Sequence, residues 1–177
     1  MRALVILAEG FEEIEAVTII DVLRRGEVEV STASLAGRQV RGSHKLLLEA
    51  DCLLQQVQMA DYDALVLPGG PAAKTLREHP QAQACIRGFS ERGKLVAAVC
   101  AGPTALEAAG ALRGKRATAY PGNPLPSAVF VEEDVVEDGN VVTSRGPATS
   151  MAFELKVLER LAGAEVARNT ADKLLHR

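Results

Sequence analysis

The stretch Leu95-Val96-Ala97-Ala98-Val99-Cys100-Ala101-Gly102-Pro103-Thr104 decides the fold. Its first five residues are apolar without a break, as expected of a strand buried on both faces of a parallel sheet. Good helix formers follow from Thr104 to Ala109, so Cys100 sits where a strand turns sharply into a helix. A thiol at such a turn meets unpaired N–H groups and the positive end of the helix dipole. Both favour the thiolate, which is the nucleophile. Hydrolases present a serine on a similar elbow, although the Gly-x-Ser-x-Gly spelling is absent here.

Outward from this junction the strand–helix alternation repeats. Residues 3–8 are a second short apolar run, and a helical pattern over residues 11–25 follows Gly10 and ends at Gly26. Ile14, Val17, Ile20, Val22 and Leu23 are read as its apolar side, with Glu12, Glu13, Asp21 and Arg24 on or near the other. Residues 27–35 read as a strand and residues 46–48 as a short one. Another buried strand over residues 64–67 stops at Pro68-Gly69-Gly70-Pro71, and about residues 81–92 read as a helix. Residues 129–136 and 141–144 flank Glu137-Asp138-Gly139-Asn140, which reads as a hairpin turn. A strong helix starts at Thr149 or Ser150, with Ala152, Leu155, Leu158, Leu161 and Ala162 inward, and residues 164–175 continue as helix.

This pattern predicts an α/β sandwich with a mostly parallel sheet and an antiparallel hairpin near one edge. Ligands in such folds bind beyond the carboxyl ends of the strands. Three segments end strands there: residues 9–15, 68–71 and 100–103.

Composition narrows the function classes. At 177 residues one domain is expected, spanning residues 1–177. Net charge is −3, no basic stripe occurs and aromatic residues make up 3%, so nucleic-acid binding has no support. No apolar run approaches the length of a membrane span. Met1-Arg2 leads straight into the first strand, unlike a signal peptide, and a cytoplasmic protein is expected. Cys52, Cys85 and Cys100 have no paired spacing, which favours reduced thiols. His44, His79 and His176 are scattered and no Cys-x-x-Cys occurs, so no metal site is expected.

Three candidate features each carry a plainer alternative. Cys100 reads either as a nucleophile at an elbow or as a small buried residue; Cys52 and Cys85 read as structural. Glu12 and Glu13 read as solvated acids in the first helical turn. Glu15, between Ile14 and Ala16, reads as a partly buried acid with a raised pKa or as an exposed helix charge. In the first case it could share a proton with Cys100 and serve as general acid and base. Pro68-Gly69-Gly70-Pro71 is either a turn or the source of a backbone N–H, from Gly70, that joins Ala101 N–H in an oxyanion hole. No histidine follows Cys100, so a Cys/His dyad is not evident, and Tyr120 is a poor base.

Together these segments resemble the DJ-1/ThiJ/PfpI superfamily in its DJ-1 branch. The resemblance runs through residues 2–8, Glu12-Glu13-Ile14-Glu15, Leu67-Pro68-Gly69-Gly70, residues 98–104 and Thr143-Ser144-Arg145-Gly146-Pro147. It implies a flavodoxin-like three-layer α/β/α sandwich and a homodimer. It also implies that Cys100 is the reactive, oxidation-prone cysteine and Glu15 the acid beside it. Gly69, Gly70 and Ala101 then match the anion pocket, and Tyr120, Ser144, Arg145 and Pro147 lie near it. Tyr120 stands where many relatives have histidine, His44 where an arginine is usual near the dimer interface, and Pro71 where a small or polar residue is usual. Ala101 in place of histidine separates the chain from the protease-like branch.

The activity so implied is a glyoxalase or deglycase that needs neither cofactor nor metal. Its substrates would be methylglyoxal and related α-oxoaldehydes, or the early glycation adducts of proteins. The alternative is a redox sensor or chaperone whose Cys100 oxidises to a sulfinate with little turnover. A protease or amidotransferase lacks its basic partner for the thiol.

Overall fold

The computed structural model describes residues 1–176. In chain order the strands are β1 (Arg2–Leu7), β2 (Glu29–Ser34), β3 (Gln39–Arg41), β4 (Leu47–Glu49), β5 (Cys52–Leu53), β6 (Ala64–Leu67), β7 (Leu95–Val99), β8 (Arg116–Ala117), β9 (Val129–Phe130), β10 (Val135–Asp138) and β11 (Val141–Ser144). The α-helices are α1 (Glu13–Arg25), α2 (Ala72–Glu78), α3 (Pro80–Glu91), α4 (Pro103–Ala108), α5 (Ser150–Ala162) and α6 (Ala164–Lys173).

Seven strands form one sheet in the order β10-β11-β7-β6-β1-β2-β5. All neighbours run parallel except the edge pair β10–β11. Helices α1, α5 and α6 pack together on one side and α2, α3 and α4 on the other, giving the three-layer flavodoxin-like sandwich. The apolar strand runs explain the centre: β6, β7 and β11 are buried at every residue, and β1 at all but Arg2. No helix among the described residues is long and apolar enough to cross a membrane.

The topology fixes where a site can form. From β1 the chain moves to β2 and β5 on one side, then crosses to β6 and β7 on the other. The crevice beyond the carboxyl ends of β1 and β6 is therefore the switch point of the sheet.

Several elements differ from the expected ones, for local reasons. α2 begins directly after Pro71, where a plain turn was expected, because proline suits the start of a helix. Residues 129–136 are not one strand: Val129–Phe130 pair in parallel with Arg116–Ala117, and only residues 135–138 pair with β11. Glu137 and Asp138 thus belong to the strand, and Gly139-Asn140 make the turn. The short strand at residues 47–49 has an antiparallel partner, β3, that was not anticipated.

Helix faces also shift. α1 buries Glu15, Ala16, Ile19, Val22 and Leu23 and leaves Ile14 and Val17 exposed. α5 buries Phe153, Glu154, Val157, Leu158 and Leu161, while Ala152 and Leu155 are only half-buried.

Candidate active site

Cys100 follows the last residue of β7 with φ +62°, in the left-handed region. A non-glycine residue there costs about 1–3 kcal/mol and persists only where its surroundings hold it. Here Cys100 N–H donates to Ser144 O at 2.9 Å, and Cys100 O accepts from Tyr120 N–H at 2.9 Å. These two bonds fasten the elbow to β11 and to the segment after β8.

Glu15 comes from the first turn of α1 and is fully buried. Its own N–H donates to Glu12 Oε2 at 2.8 Å, so Glu12 caps the helix that carries it. Glu15 Oε2 accepts the Gly69 N–H at 2.7 Å. Its other oxygen, Oε1, is buried without a hydrogen-bond partner. The Cys100 side chain lies beside this carboxyl, close enough that each shifts the other's pKa.

Gly69 and Gly70 link the two groups. A Cβ on Gly69 would fall 2.7 Å from Cys100 Cβ, 2.8 Å from Ala101 N and 2.9 Å from Glu15 Oε2. Gly70 has φ +80°, and its missing Cβ would strike Gly10 O at 2.6 Å and Glu12 N at 2.7 Å. The Gly70 and Ala101 N–H groups lie near enough to the Cys100 sulfur to favour its charged form. The Gly69 amide is spent on the acid rather than on an anion.

The protonation states depend on competing effects. Burial pushes Glu15 up from 4.5 to about 7, against the lowering by Gly69 N–H and Cys100. Burial, then the Glu15 charge, pushes Cys100 up to about 12, against the Gly70 and Ala101 N–H groups. The expected resting thiolate is therefore not present while Glu15 is charged. The helix offers less than its dipole suggests: α4 is six residues long, and Gly102 N–H is bonded to Val99 O at 2.8 Å. When the pair holds one proton, Gly70 and Ala101 favour charge on sulfur, while Gly69 favours it on the carboxyl.

The remaining candidates sit around this pair. Ser144 is buried, and its Oγ donates to Asp134 O at 2.6 Å and shares a 2.6 Å bond with Thr149 Oγ1. Its contribution to the elbow is thus its carbonyl. Arg145 pairs with Glu132 at 3.1 Å, and Pro147 opens a short 3₁₀ turn over Pro147–Thr149. Tyr120 is half exposed, with its ring against Gly146. Cys85 is buried and pushed up to about 12 by that burial, and Cys52 is half-buried; neither touches this cluster.

Two features were not legible in the chain. Glu12 is half-buried and caps α1, and glutamate is not among the usual capping residues, so the signal was weak. Glu13 is largely covered and accepts from Ser43 Oγ at 3.0 Å and contacts His44 Nδ1 at 3.0 Å. Burial raises its pKa, but His44, backbone and Ser43 hydrogen bonds outweigh it and hold the carboxyl at about 2. Among the described residues, Glu12, Glu13 and His44 could hold a cation, with one ligand atom from each within 4.8 Å of the others. The β3–β4 loop brings this histidine to the acids, an approach that the scatter of the histidines along the chain does not reveal.

The sequence model of the DJ-1/PfpI family matches residues 1–160. The chain belongs to the DJ-1/PfpI family. Relatives extend over nearly all of it. A zebrafish (Danio rerio) Parkinson disease protein 7 homolog is 41% identical, covering 98% of this chain and 96% of that protein. A protein named as a deglycase from Pyrococcus abyssi is 36% identical, covering 86% of this chain and 95% of that one. The crystal structure of Drosophila melanogaster DJ-1beta superposes with a TM-score of 0.95 at 39% identity, over 99% of this chain and 98% of that chain. Toxoplasma gondii DJ-1, solved in an oxidized form, gives 0.92 at 37% identity, over 99% and 98%. A DJ-1-type function follows for this member of the DJ-1/PfpI family.

Proposed function

We propose that the chain is a cysteine-dependent glyoxalase that converts methylglyoxal and related α-oxoaldehydes to 2-hydroxy acids without a cofactor. One observation carries this reading: a buried carboxyl with one oxygen fixed by Gly69 N–H and the other free of hydrogen bonds, beside a cysteine held on a strained elbow.

The chemistry follows from that pair. Cys100 sulfur adds to the aldehyde carbon, and its proton passes to the carbonyl oxygen to give a hemithioacetal. Gly70 and Ala101 N–H groups stabilise the negative charge that develops during addition. Glu15, as carboxylate, takes the C1 proton to form an enediol and returns a proton to C2. The product is a thioester of 2-hydroxypropanoate. Water cleaves it, releasing lactate and restoring the thiol, so the net reaction adds one water to methylglyoxal. A pKa of about 7 suits this double duty, because both forms of the acid are populated near neutrality.

Proton NMR of lactate formed by wild type and Cys100→Ser tests the reading. Loss of lactate with retained circular dichroism supports it; equal rates in both proteins refute it. Release of an unmodified amine from a preformed adduct, with free methylglyoxal trapped, would extend the activity to deglycation.

A second reading has its own support in the oxidized Toxoplasma gondii relative and in the Gly70 and Ala101 donors. Two equivalents of peroxide would convert the Cys100 thiol to a sulfinic acid with release of two waters. A two-oxygen mass adduct confined to Cys100 at low peroxide is its signature; indiscriminate oxidation of all three cysteines excludes it.

Homodimerisation is part of the same proposal. Ile14 and Val17 on α1 and Leu46 and Leu47 beside it are all about half exposed. The Glu13 contacts to Ser43 and His44 join the two segments. Such a patch favours covering by a second copy. Sedimentation as a dimer that Val17→Glu converts to monomer is expected; a monomeric wild type contradicts it.

A further inference from the structure

We propose that the apolar bowl next to Tyr120 receives the carbon substituent of the α-oxoaldehyde and selects aryl groups over methyl. The inference rests on the glyoxalase reading and names its substrate class. The bowl has a volume of about 480 Å³ and is lined by Tyr120, Pro124, Leu125, Pro126 and Phe130, with no charged side chain.

Three observations set this bowl apart. The chain has four phenylalanines, two tyrosines and no tryptophan. Phe11, Phe89, Phe153 and Tyr62 are buried in the core, whereas Tyr120 and Phe130, 50% and 49% exposed, both line the bowl. Every aromatic ring that reaches solvent is thus gathered at one place, where it can stack on a flat apolar group.

The bowl also adjoins the candidate site through Tyr120. Tyr120 N–H is bonded to the Cys100 carbonyl at 2.9 Å, and the Tyr120 ring packs on Gly146, two residues after the Ser144 carbonyl that accepts Cys100 N–H. Tyr120 thus belongs both to the bowl and to the backbone contacts that hold the Cys100 elbow.

Finally, the platform is rigid. Pro121, Pro124 and Pro126 restrict the segment, and Asn123 donates from its backbone and its Nδ2 to Tyr120 O at 3.1 and 3.0 Å. Glu107 grips Ser127 N and Oγ at 2.8 and 2.9 Å. A pre-formed apolar wall loses little entropy when a ligand arrives.

The test compares phenylglyoxal with methylglyoxal as substrates, reading kcat/KM for each in wild type, Phe130→Ser and Phe130→Leu. Phe130→Ser should lower the phenylglyoxal-to-methylglyoxal ratio about tenfold, and Phe130→Leu, which keeps apolar bulk, should lower it less than threefold. An unchanged ratio in Phe130→Ser overturns the inference. Binding of mandelate, the product of phenylglyoxal, supplies a readout independent of turnover. Its ring protons should show magnetisation transfer to Tyr120 and Phe130 in wild type. If mandelate binds there and neither aldehyde is consumed, the bowl stands as an aryl site and the glyoxalase reading fails. If both aldehydes are consumed and mandelate never contacts the bowl, the reading stands and the inference fails.

Discussion

At the residue scale Glu15 acts on Cys100 in two opposed ways. As a carboxylate it repels charge on sulfur; as a protonated acid it can donate a hydrogen bond to a thiolate. Glu15→Gln separates the two. The amide oxygen can accept from Gly69 N–H while its NH₂ faces sulfur, and the repulsion is gone. The midpoint pH for iodoacetamide alkylation of Cys100 should fall, while lactate formation drops about 100-fold or more because no base remains. A midpoint that stays or rises would show that the carboxylate does not hold the thiol up. Gly69→Ala is the steric counterpart. Its Cβ would press on Cys100 Cβ, Ala101 N and Glu15 Oε2 within 3 Å, so activity should vanish together with a lower Tm. An active, fully stable Gly69→Ala protein would mean that the two groups are not held as described.

At the element scale the most unusual member is α5, which buries Glu154 with neither oxygen hydrogen-bonded. Burial pushes this carboxyl well above the ordinary range. Methionine has similar volume and no charge to desolvate. Glu154→Met should raise stability by about 1–3 kcal/mol in urea unfolding at about pH 8, and by less at about pH 4, where the unfolded acid is also mostly protonated. A destabilised variant at both pH values would contradict the assignment of this acid as an unpaired burden.

The same helix shows what the chain could and could not reveal. The strands were legible because runs such as residues 64–67 and 95–99 are apolar throughout, and a parallel sheet buried on both faces demands that. Helix faces were less so. Glu15 and Glu154 are charged residues on buried faces, and Ile14 and Val17 are apolar residues on an exposed one, so polarity alone points the wrong way. The β8–β9 pair was hidden because two-residue strands carry no period to read. Within the site, the Cys100 elbow was visible from its place in the pattern, whereas Glu15 read equally well as a buried acid or as an exposed helix charge. The Glu12 cap and the Glu13–His44 contact depend on how loops fold back, which no local spacing encodes.

At the scale of the whole molecule, the site exists because the chain reverses its direction of winding between β1 and β6. That crossing places the α1 N-terminus and the residue 68–71 turn over one crevice, and β7 brings Cys100 beside them. Two buried acids then tie stability to pH. Glu15 and Glu154 bind protons more tightly folded than unfolded, so in their shared window the native state holds more protons and stability falls as pH rises. For Glu15 the window runs from 4.5 to about 7 and corresponds to about 3 kcal/mol. Wild-type Tm should therefore decline by several degrees between about pH 5 and about pH 8, and Glu15→Gln with Glu154→Met should be flatter. An increase in wild-type Tm over that interval would contradict the burial argument.

The Cys100–Glu15 pair is tested most directly by kcat/KM for methylglyoxal as a function of pH, in wild type and Glu15→Gln. Wild type should rise about tenfold per pH unit below about pH 7 and level off above it, as the pair passes to its singly protonated form. In Glu15→Gln the residual rate should lack that limb. The same rising limb in both proteins, or a flat wild-type profile, would contradict the pair as the catalytic unit.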